Sequence, residues 1–421
     1  MTASEQSPPG PLAGIRIVEI SETASGAYGG RLLAGLDGEV VVVEPLGGSA
    51  LRRVGSHPGA RPHRETGASH LHLQRGKRSL TVNLESRAGR RALHELLEAT
   101  EILITDLPAR SWAPLGIDPA RLLAQNPALI VTTITPFGSQ GPRVDQASTE
   151  LTEYAAGGYL RITGKPEREP VKAWGEQAQL QAGVHAALAT VAAVRAKGDA
   201  HRGQHVDVAV TDAVSFLLGG TLQSAYFFGR EPSRNGTRLV GFGPGHTYPS
   251  TIRPCRDGYV HAHVNSRFPE TMAAFFDDPR LADPDLLATM LGHADEIDAL
   301  MSPKLEREDR AEIVREAQAL RIPFTEVLRP SEVLADGDGH HAARGFFVDQ
   351  DHPIAGRARY PGPPIRMGES RWREGRAPLL NEDGALLHHR RLSRGHPSRS
   401  SLSRGRPSGD VPVRWRRAGV A

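Results

Sequence analysis

Three cations lie within four positions, Arg75, Lys77 and Arg78, in the sequence QRGKR. They are followed, after Ser79, by the segment Leu80–Leu84, which we predict to be a strand. Cationic groups beside a strand end form charge-assisted hydrogen bonds with phosphate or carboxylate oxygens. The alternative is an ordinary basic turn that faces water. The segment is therefore a candidate anion-binding loop whose role depends on its surroundings.

Thiol chemistry and metal chemistry have little support in this sequence. Cys255 is the only cysteine, so it forms no intrachain disulfide, and no neighbouring His/Asp pattern activates it. His340 and His341 are adjacent in DGDGHHAARG, but no third ligand accompanies them at a metal-site spacing. We predict an unreactive thiol and no metal site.

The elements that must position these groups alternate between strand and helix over the first 135 residues. Predicted strands are Ile15–Ile20, Glu39–Glu44, Leu80–Leu84, Ile102–Thr105 and Leu129–Thr135, with helices at Arg31–Leu36 and Arg87–Ala99. This order predicts an α/β fold with a parallel sheet and helices on both faces, in which ligands bind beyond the carboxyl ends of the strands. No GxGxxG follows the first strand, which disfavours a dinucleotide site.

The rest of the chain divides into further segments. An alanine-rich buried helix is predicted at Ala178–Arg195, followed by a strand at His205–Val210 and a helix that starts near Thr211. Short segments and the charged helical stretch Lys304–Leu320 then indicate a smaller α+β lobe. We predict a large domain over residues 11–220, a small domain over 221–324, a return to the large domain over 325–383 and a tail over 384–421.

The excess positive charge of the chain lies in that tail. Residues 384–421 hold nine arginines against one acid, a balance of +8, so the total of +3 leaves −5 on residues 1–383. A Ser/Arg/Gly/Pro segment without apolar periodicity predicts disorder. We therefore expect no nucleic-acid partner for the folded body. No apolar run approaches the length of a membrane span, and no signal-like start is present, so we expect a cytoplasmic protein without a membrane partner.

Six blocks of this sequence, in order over residues 11–380, resemble the class III CoA-transferases. The blocks are PLAGIRIVEISETASGAYGGRLLAGLDGEVVVVEP, HLHLQRGKRSLTVNL, NPALIVTTITPFGSQGP, AAGGYLRITG, GQHVDVAVTDAV, and ARGFFVDQDHP with PGPPIRM. The resemblance implies a Rossmann-like large domain with a parallel sheet, a smaller α+β domain, and two identical chains interlinked like rings.

The resemblance also implies a CoA site. The contact positions it implies are Thr23, Ala24, Pro45, Arg75, Gly76, Lys77 and Arg78. Two further positions depart from the family: its asparagine after the fourth strand falls at Asp106, and its phosphate-binding arginine falls near Pro114, for which Arg110 could substitute. A CoA thioester is then a substrate, and no permanently bound cofactor is implied.

The catalytic position departs from the family most strongly. The resemblance implies a nucleophilic aspartate in the pattern Asp-x-x-x-Gly-x-His, and the matching stretch here starts with Gln179. A neutral amide cannot form the acyl anhydride that the family's carboxylate forms. Another carboxylate could replace it, either Glu150, which matches a family acid near the site, or Glu176, which lies near the same helix start. The family's glycine-rich lid corresponds to Gly241, Gly243 and Gly245, although a turn between two strands fits GFGPG equally well.

The leading interpretation is an acyl-CoA:carboxylate CoA-transferase that acts on an acyl-CoA and a carboxylic acid as a homodimer. Two alternatives stay open because Gln179 replaces the nucleophile. One is a different reaction on an acyl-CoA, such as elimination, hydrolysis or racemisation through proton abstraction, with Glu150 or His185 as the base. The other is a CoA-binding subunit without catalytic activity.

Overall fold

The computed structural model describes residues 8–229, 231–238, 248–263, 269–288 and 292–386. Its main sheet contains six strands, all parallel, in the order β3-β2-β1-β4-β5-β6. These strands are β1 (Arg16–Ile20), β2 (Glu39–Glu44), β3 (Arg78–Thr81), β4 (Ile102–Thr105), β5 (Ile130–Thr135) and β6 (His205–Ala209). The predicted α/β fold with a parallel sheet is confirmed.

Nine helices in the described residues before position 230 accompany this sheet. They are α1 (Ala24–Gly35), α2 (Ala68–Leu73), α3 (Arg87–Leu97), α4 (Trp112–Leu115), α5 (Pro119–Gln125), α6 (Glu150–Ala156), α7 (Gln177–Lys197), α8 (Val210–Phe216) and α9 (Gly219–Phe228). None of the helices in the described part of the chain is long and apolar enough to cross a bilayer.

Two boundaries differ from the sequence prediction for identifiable reasons. Helix α1 begins at Ala24, well before the predicted Arg31, because a carboxylate from the neighbouring strand end holds its first N–H groups. Strand β3 ends at Thr81 because its partner β2 ends at Glu44, whose carbonyl accepts the last bond from the Val82 N–H. The apolar run Leu80–Leu84 was therefore a poor guide to the strand end.

Helices α1 and α7 pack closely because small residues face each other. A Cβ atom on Gly183 of α7 would lie 2.7 Å from the Ser25 carbonyl oxygen and 3.1 Å from the Gly29 nitrogen. Ala182 and Ala186 of α7 are fully buried in the same core. The alanine-rich sequence of α7 thus brings its backbone against α1, and the two helices start at the same edge of the sheet.

A second, antiparallel sheet has its own hydrophobic core. Its strands are β7 (Ser250–Cys255), β8 (Gly258–His263) and β9 (Thr325–Glu326), and the helices near them are α10 (Pro269–Phe276), α11 (Pro284–Ala288), α12 (Ala294–Leu305) and α13 (Arg310–Ala319). The core includes Val260, Phe275, Met301 and Phe324. The predicted helical stretch Lys304–Leu320 contains the end of α12 at Leu305 and all of α13, with a break between them.

The remaining elements lead the chain back over the main sheet. Helices α14 (Pro330–Ala335) and α15 (His340–Ala343) precede an antiparallel hairpin of β10 (Phe347–His352) and β11 (Gly356–Pro361). The segment 372–383 then runs along α1 and β3: the Arg373 N–H donates to the Gly35 carbonyl, and Asn381 and Asp383 pair with the outer edge of β3. Most of the predicted tail, residues 387–421, lies outside the described residues.

Candidate active site

Asp106 joins the carboxyl end of β4 to the amino end of α1. Its Oδ1 accepts the Glu22 N–H at 2.8 Å, and its Oδ2 accepts the Thr23 N–H at 3.0 Å, the Thr23 hydroxyl at 2.7 Å and the Gly26 N–H at 3.2 Å. Burial raises the pKa of Asp106 to about 6, although these four donors favour the charged form. Asp106 thus fixes the start of α1, where the predicted positions Thr23 and Ala24 lie.

Glu150 performs the corresponding task at the amino end of α7. Its Oε1 accepts the Ala178 N–H at 2.9 Å, and its Oε2 accepts the Gln179 N–H at 3.1 Å. The Lys172 ammonium lies 3.4 Å from the same Oε1. Both oxygens are therefore committed to backbone donors that would otherwise lack an acceptor at a helix start.

Gln179 lies between the two helix starts, and both ends of its amide are bonded. Its Oε1 accepts the Ala24 N–H of α1 at 3.2 Å, and its Nε2 donates to Oε2 of Glu153 at 3.3 Å. Glu153 belongs to α6, is only 3% exposed, and also accepts the Ser148 hydroxyl at 2.8 Å. Burial and, to a smaller extent, the nearby charge of Glu150 raise the pKa of Glu153.

Glu176, the other candidate nucleophile, is the N-cap residue of α7. It is partly buried, and its carboxylate accepts no hydrogen bond from the residues the structure describes. Burial, followed by the charge of Glu150, raises the pKa of Glu176, while Lys172 opposes the shift. The structure thus gathers Thr23, Ala24, Asp106, Glu150, Glu176 and Gln179 at one edge of the sheet.

The basic segment is not part of this group, because it precedes β3 at the amino end of that strand. Arg75 is buried, and its Nη2 lies 2.5 Å from a Glu374 oxygen. The Lys77 ammonium lies 2.6 Å from a Glu19 oxygen in a fully buried pair, and burial lowers the pKa of Lys77 while Glu19 opposes this. Gly76 between them has a positive φ of 74° and contacts Gly375.

The remaining predicted contact positions are more open. The half-exposed Arg78 pairs with Asp383 at 2.8 Å. Pro45 is exposed after β2 and lines a cleft with Leu46, Asn83 and Glu85. Arg110 follows β4, is exposed, and forms no ion pair with the described residues. Gly241, Gly243 and Gly245 lie outside the described residues.

Sequence reasoning missed Glu153, although it lies three residues after Glu150. Both acids lie on helix α6, and the packing of α6 against α7 makes one a helix cap and the other the partner of Gln179. No group of three or more His, Cys, Asp or Glu side chains in the described part of the chain could hold a metal ion.

Residues 12–384 match the sequence profile described as CoA-transferase family III. The chain belongs to this family. The predicted family and enzyme class are therefore confirmed, because the match spans all three sheets and the complete edge with Asp106, Glu150 and Gln179.

Named relatives of this family III chain are CoA-transferases. A succinate–glutarate CoA-transferase of Agrobacterium fabrum is 27% identical over 346 residues, covering 80% of this chain and 85% of that protein. The BbsE subunit of the succinyl-CoA:(R)-benzylsuccinate CoA-transferase of Thauera aromatica is 28% identical over 85% of this chain and 88% of its own length. A CAIB/BAIF family protein from Brucella suis, solved by crystallography, superposes with a TM-score of 0.79 at 25% identity, covering 91% of this chain and 99% of that one.

Proposed function

We propose that this chain binds an acyl-CoA at the carboxyl edge of the main sheet and moves the CoA to a second carboxylic acid. The observation that carries the proposal is the meeting of two helix amino ends, where the Ala24 N–H of α1 donates to the Gln179 side chain of α7 at 3.2 Å. Helix amino ends stabilise negative charge. Thioester cleavage produces such charge on the carbonyl oxygen and on the departing sulfur.

CoA itself is assigned to the surface around this point. Thr23 and Ala24 start α1, and Pro45 and Arg110 follow the neighbouring strands β2 and β4 at the same edge. Arg110 has its guanidinium exposed, as a phosphate contact requires. Asp106 serves CoA indirectly, because its oxygens hold the start of α1. Arg75, Gly76 and Lys77 are packed beside α1 and support it from within the protein. Arg78 has the most exposed side chain of the three cations in this segment.

A dicarboxylic acyl-CoA is the proposed donor. Relatives from Thauera aromatica, Chloroflexus aurantiacus and Haloarcula hispanica have names that contain succinyl-CoA, each with a different acceptor acid. Because the acceptors differ while the donor stays the same, the donor is the safer inference for this chain. Succinyl-CoA is therefore the first substrate to test.

The amide at position 179 requires a different source for the attacking carboxylate. We assign this role to the acceptor acid itself: its carboxylate oxygen attacks the thioester carbonyl, the C–S bond breaks, and CoA leaves as the thiolate. The thiolate then attacks the acceptor's carbonyl in the resulting anhydride, and the donor acid leaves as its carboxylate. Glu150 and Glu176 are the alternative nucleophiles, although both oxygens of Glu150 are bonded to the start of α7.

Mass spectrometry combined with product analysis tests this proposal. We expect succinyl-CoA and a suitable dicarboxylic acid to give the exchanged thioester, with no hydroxylamine-sensitive adduct on the protein. An adduct on the peptide with Glu150 or Glu176 would show that the protein supplies the nucleophile and that the acceptor acid does not attack directly. The transferase function would still stand. Failure to bind any CoA thioester would contradict the function itself.

A catalytically inactive subunit is the second candidate, and Gln179 favours it. Relatives include subunits of two-component enzymes, such as the beta and alpha subunits of a succinyl-CoA–L-malate CoA-transferase. In that arrangement this chain binds CoA while a homologous chain with a carboxylate at the corresponding position performs the transfer. Binding of CoA thioesters without product formation by the isolated chain would identify this case.

A cytoplasmic dimer completes the proposal. Exposed apolar side chains cluster on α8 and α9, and we call them the α8–α9 surface: Phe216, Leu222, Tyr226, Phe227 and Phe228. Tyr226 is 84% exposed and Phe216 77% exposed, and large exposed apolar surfaces are typical of interaction sites. A second copy of the chain is the proposed occupant of this surface.

A further inference from the structure

Glu153 is a buried acid whose carboxylate contacts the functional end of Gln179. One oxygen accepts the Gln179 Nε2–H at 3.3 Å, and the other accepts the Ser148 hydroxyl at 2.8 Å. A carboxylate that is 3% exposed has little water to solvate it, so these donors determine whether its charge is tolerated. Glu153 and Gln179 therefore form one unit.

The two partners of Gln179 define the orientation of its amide. The Ala24 N–H can only donate, so it selects the carbonyl oxygen, and an ionised Glu153 can only accept, so it selects the nitrogen. An amide with a single partner could be placed either way round. Here both ends are specified by groups on two different helices, α1 and α6.

One N–H of the Gln179 amide has no acceptor among the described residues. The Nε2 atom carries two hydrogens, one of which goes to Glu153, while the second is donated to no residue in the described part of the chain. It lies where α1 and α7 begin, at the position that the sequence resemblance matches to the family's nucleophilic aspartate. A carbonyl oxygen is the complementary acceptor for such a donor.

The presence of Glu153 also explains why position 179 carries an amide side chain and not a carboxylate. A glutamate at position 179 would place an oxygen about where Nε2 now lies, next to the Glu153 oxygen. Two carboxylates in such contact cannot both be ionised at neutral pH. The surroundings of position 179 thus fit an uncharged donor.

We propose that Gln179 donates its second Nε2 hydrogen to the carbonyl oxygen of a bound acyl-CoA and that Glu153 is the positioning residue that holds the amide in this orientation. The proposal rests on the function proposed above, since it requires an acyl-CoA at this edge. It replaces the nucleophile expected at position 179 with a neutral hydrogen-bond donor that selects ligands with an acyl carbonyl.

Calorimetry with two ligands that differ only in this carbonyl tests the proposal. Butyryl-CoA has the thioester carbonyl, and S-butyl-CoA has a methylene group in its place. We expect the unmodified protein to bind butyryl-CoA about tenfold more tightly, because S-butyl-CoA offers no acceptor to the Gln179 amide and the hydrogen bond is lost. The ratio of the two dissociation constants is informative because general damage to the site weakens both ligands alike.

The variants Gln179→Leu and Glu153→Leu should bring this ratio close to one. Glu153→Gln keeps the shape of the side chain and should lower the ratio about threefold, which retains a test if the leucine variant does not fold. Glu169→Gln, the same change at an exposed acid, is the matched control and should leave the ratio unchanged.

A ratio near one in the unmodified protein, or a ratio that survives Glu153→Leu and Glu153→Gln, overturns this inference and leaves the transferase proposal in place. Absence of binding to butyryl-CoA, S-butyl-CoA and CoA overturns both.

Discussion

At position 179 the chemistry depends on what surrounds the side chain as much as on the residue itself. Glu150, Glu153 and Glu176 all lie near Gln179, yet each is used differently: one caps α7, one holds the amide and one stands at the N-cap without a described hydrogen-bond partner. Residue type alone does not distinguish these roles. Hydrogen-bond occupancy does, because a carboxylate whose oxygens are filled by backbone N–H groups is a poor nucleophile.

Asp106 allows a pH-dependent test at the residue scale. Because burial raises its pKa from 3.8 to about 6, the ionised form costs the folded protein stability above pH 6, and this cost falls as the pH decreases toward 4. Asp106→Asn does not titrate. We therefore expect the difference in the free energy of unfolding, variant minus unmodified protein, to be about 2 kcal/mol larger at pH 8 than at pH 4.5. The variant is then relatively more stable at pH 8.

Denaturant unfolding at the two pH values measures this difference, and Asp145→Asn at an exposed acid is the control. A difference that does not change with pH would mean that the hydrogen bonds to Asp106 fully offset its burial.

At the scale of elements, the site depends on how closely α1 and α7 approach. Their contact uses Gly29 and Gly183, where a side chain would meet the backbone of the other helix. Close approach is what lets the Ala24 N–H reach the Gln179 side chain. Glycine in the middle of a helix normally reduces stability, so its presence in α7 indicates a packing requirement.

Gly183→Ala tests this requirement. Added helix propensity would favour the variant by up to about 1 kcal/mol, but the new Cβ would lie 2.7 Å from the Ser25 carbonyl oxygen. We expect a net loss of about 1–3 kcal/mol in the free energy of unfolding, together with weaker acyl-CoA binding. Gly337→Ala, where an added Cβ meets nothing within 4 Å, is the control. A more stable Gly183→Ala protein would show that the helices can separate without cost.

Sequence patterns predicted the elements better than the contacts between them. Alternating apolar segments correctly predicted a parallel sheet, since β1, β4 and β5 are buried runs between helices. They missed the first turns of α1 because a distant residue, Asp106, holds that helix start. For the same reason, QRGKR resembled a free cationic loop, while Glu19 and Glu374, its partners from other parts of the chain, were invisible in a local pattern.

At the scale of the whole molecule, the α8–α9 surface leaves several large apolar side chains uncovered. We expect the protein to elute with the mass of two chains and Phe227→Asp to elute with the mass of one, because a charge in a closely packed apolar interface loses its hydration. Light scattering after size-exclusion chromatography measures this. Ile354→Asp, at an exposed residue of the β10–β11 hairpin, is the control. An unmodified protein that elutes as a single chain, or with a different homologous chain only, would contradict the homodimer.

The pairing of residues 381–383 with β3 has a consequence for biosynthesis. The Ser79 and Thr81 N–H groups, at the open side of the sheet, are satisfied by Asp383 and Asn381, which leave the ribosome some three hundred residues later. Until then a nascent chain carries a bare strand edge, a template for unwanted pairing with another polypeptide. The turn at 381–384 therefore completes the edge of a sheet whose first three strands are synthesised within the first 81 residues.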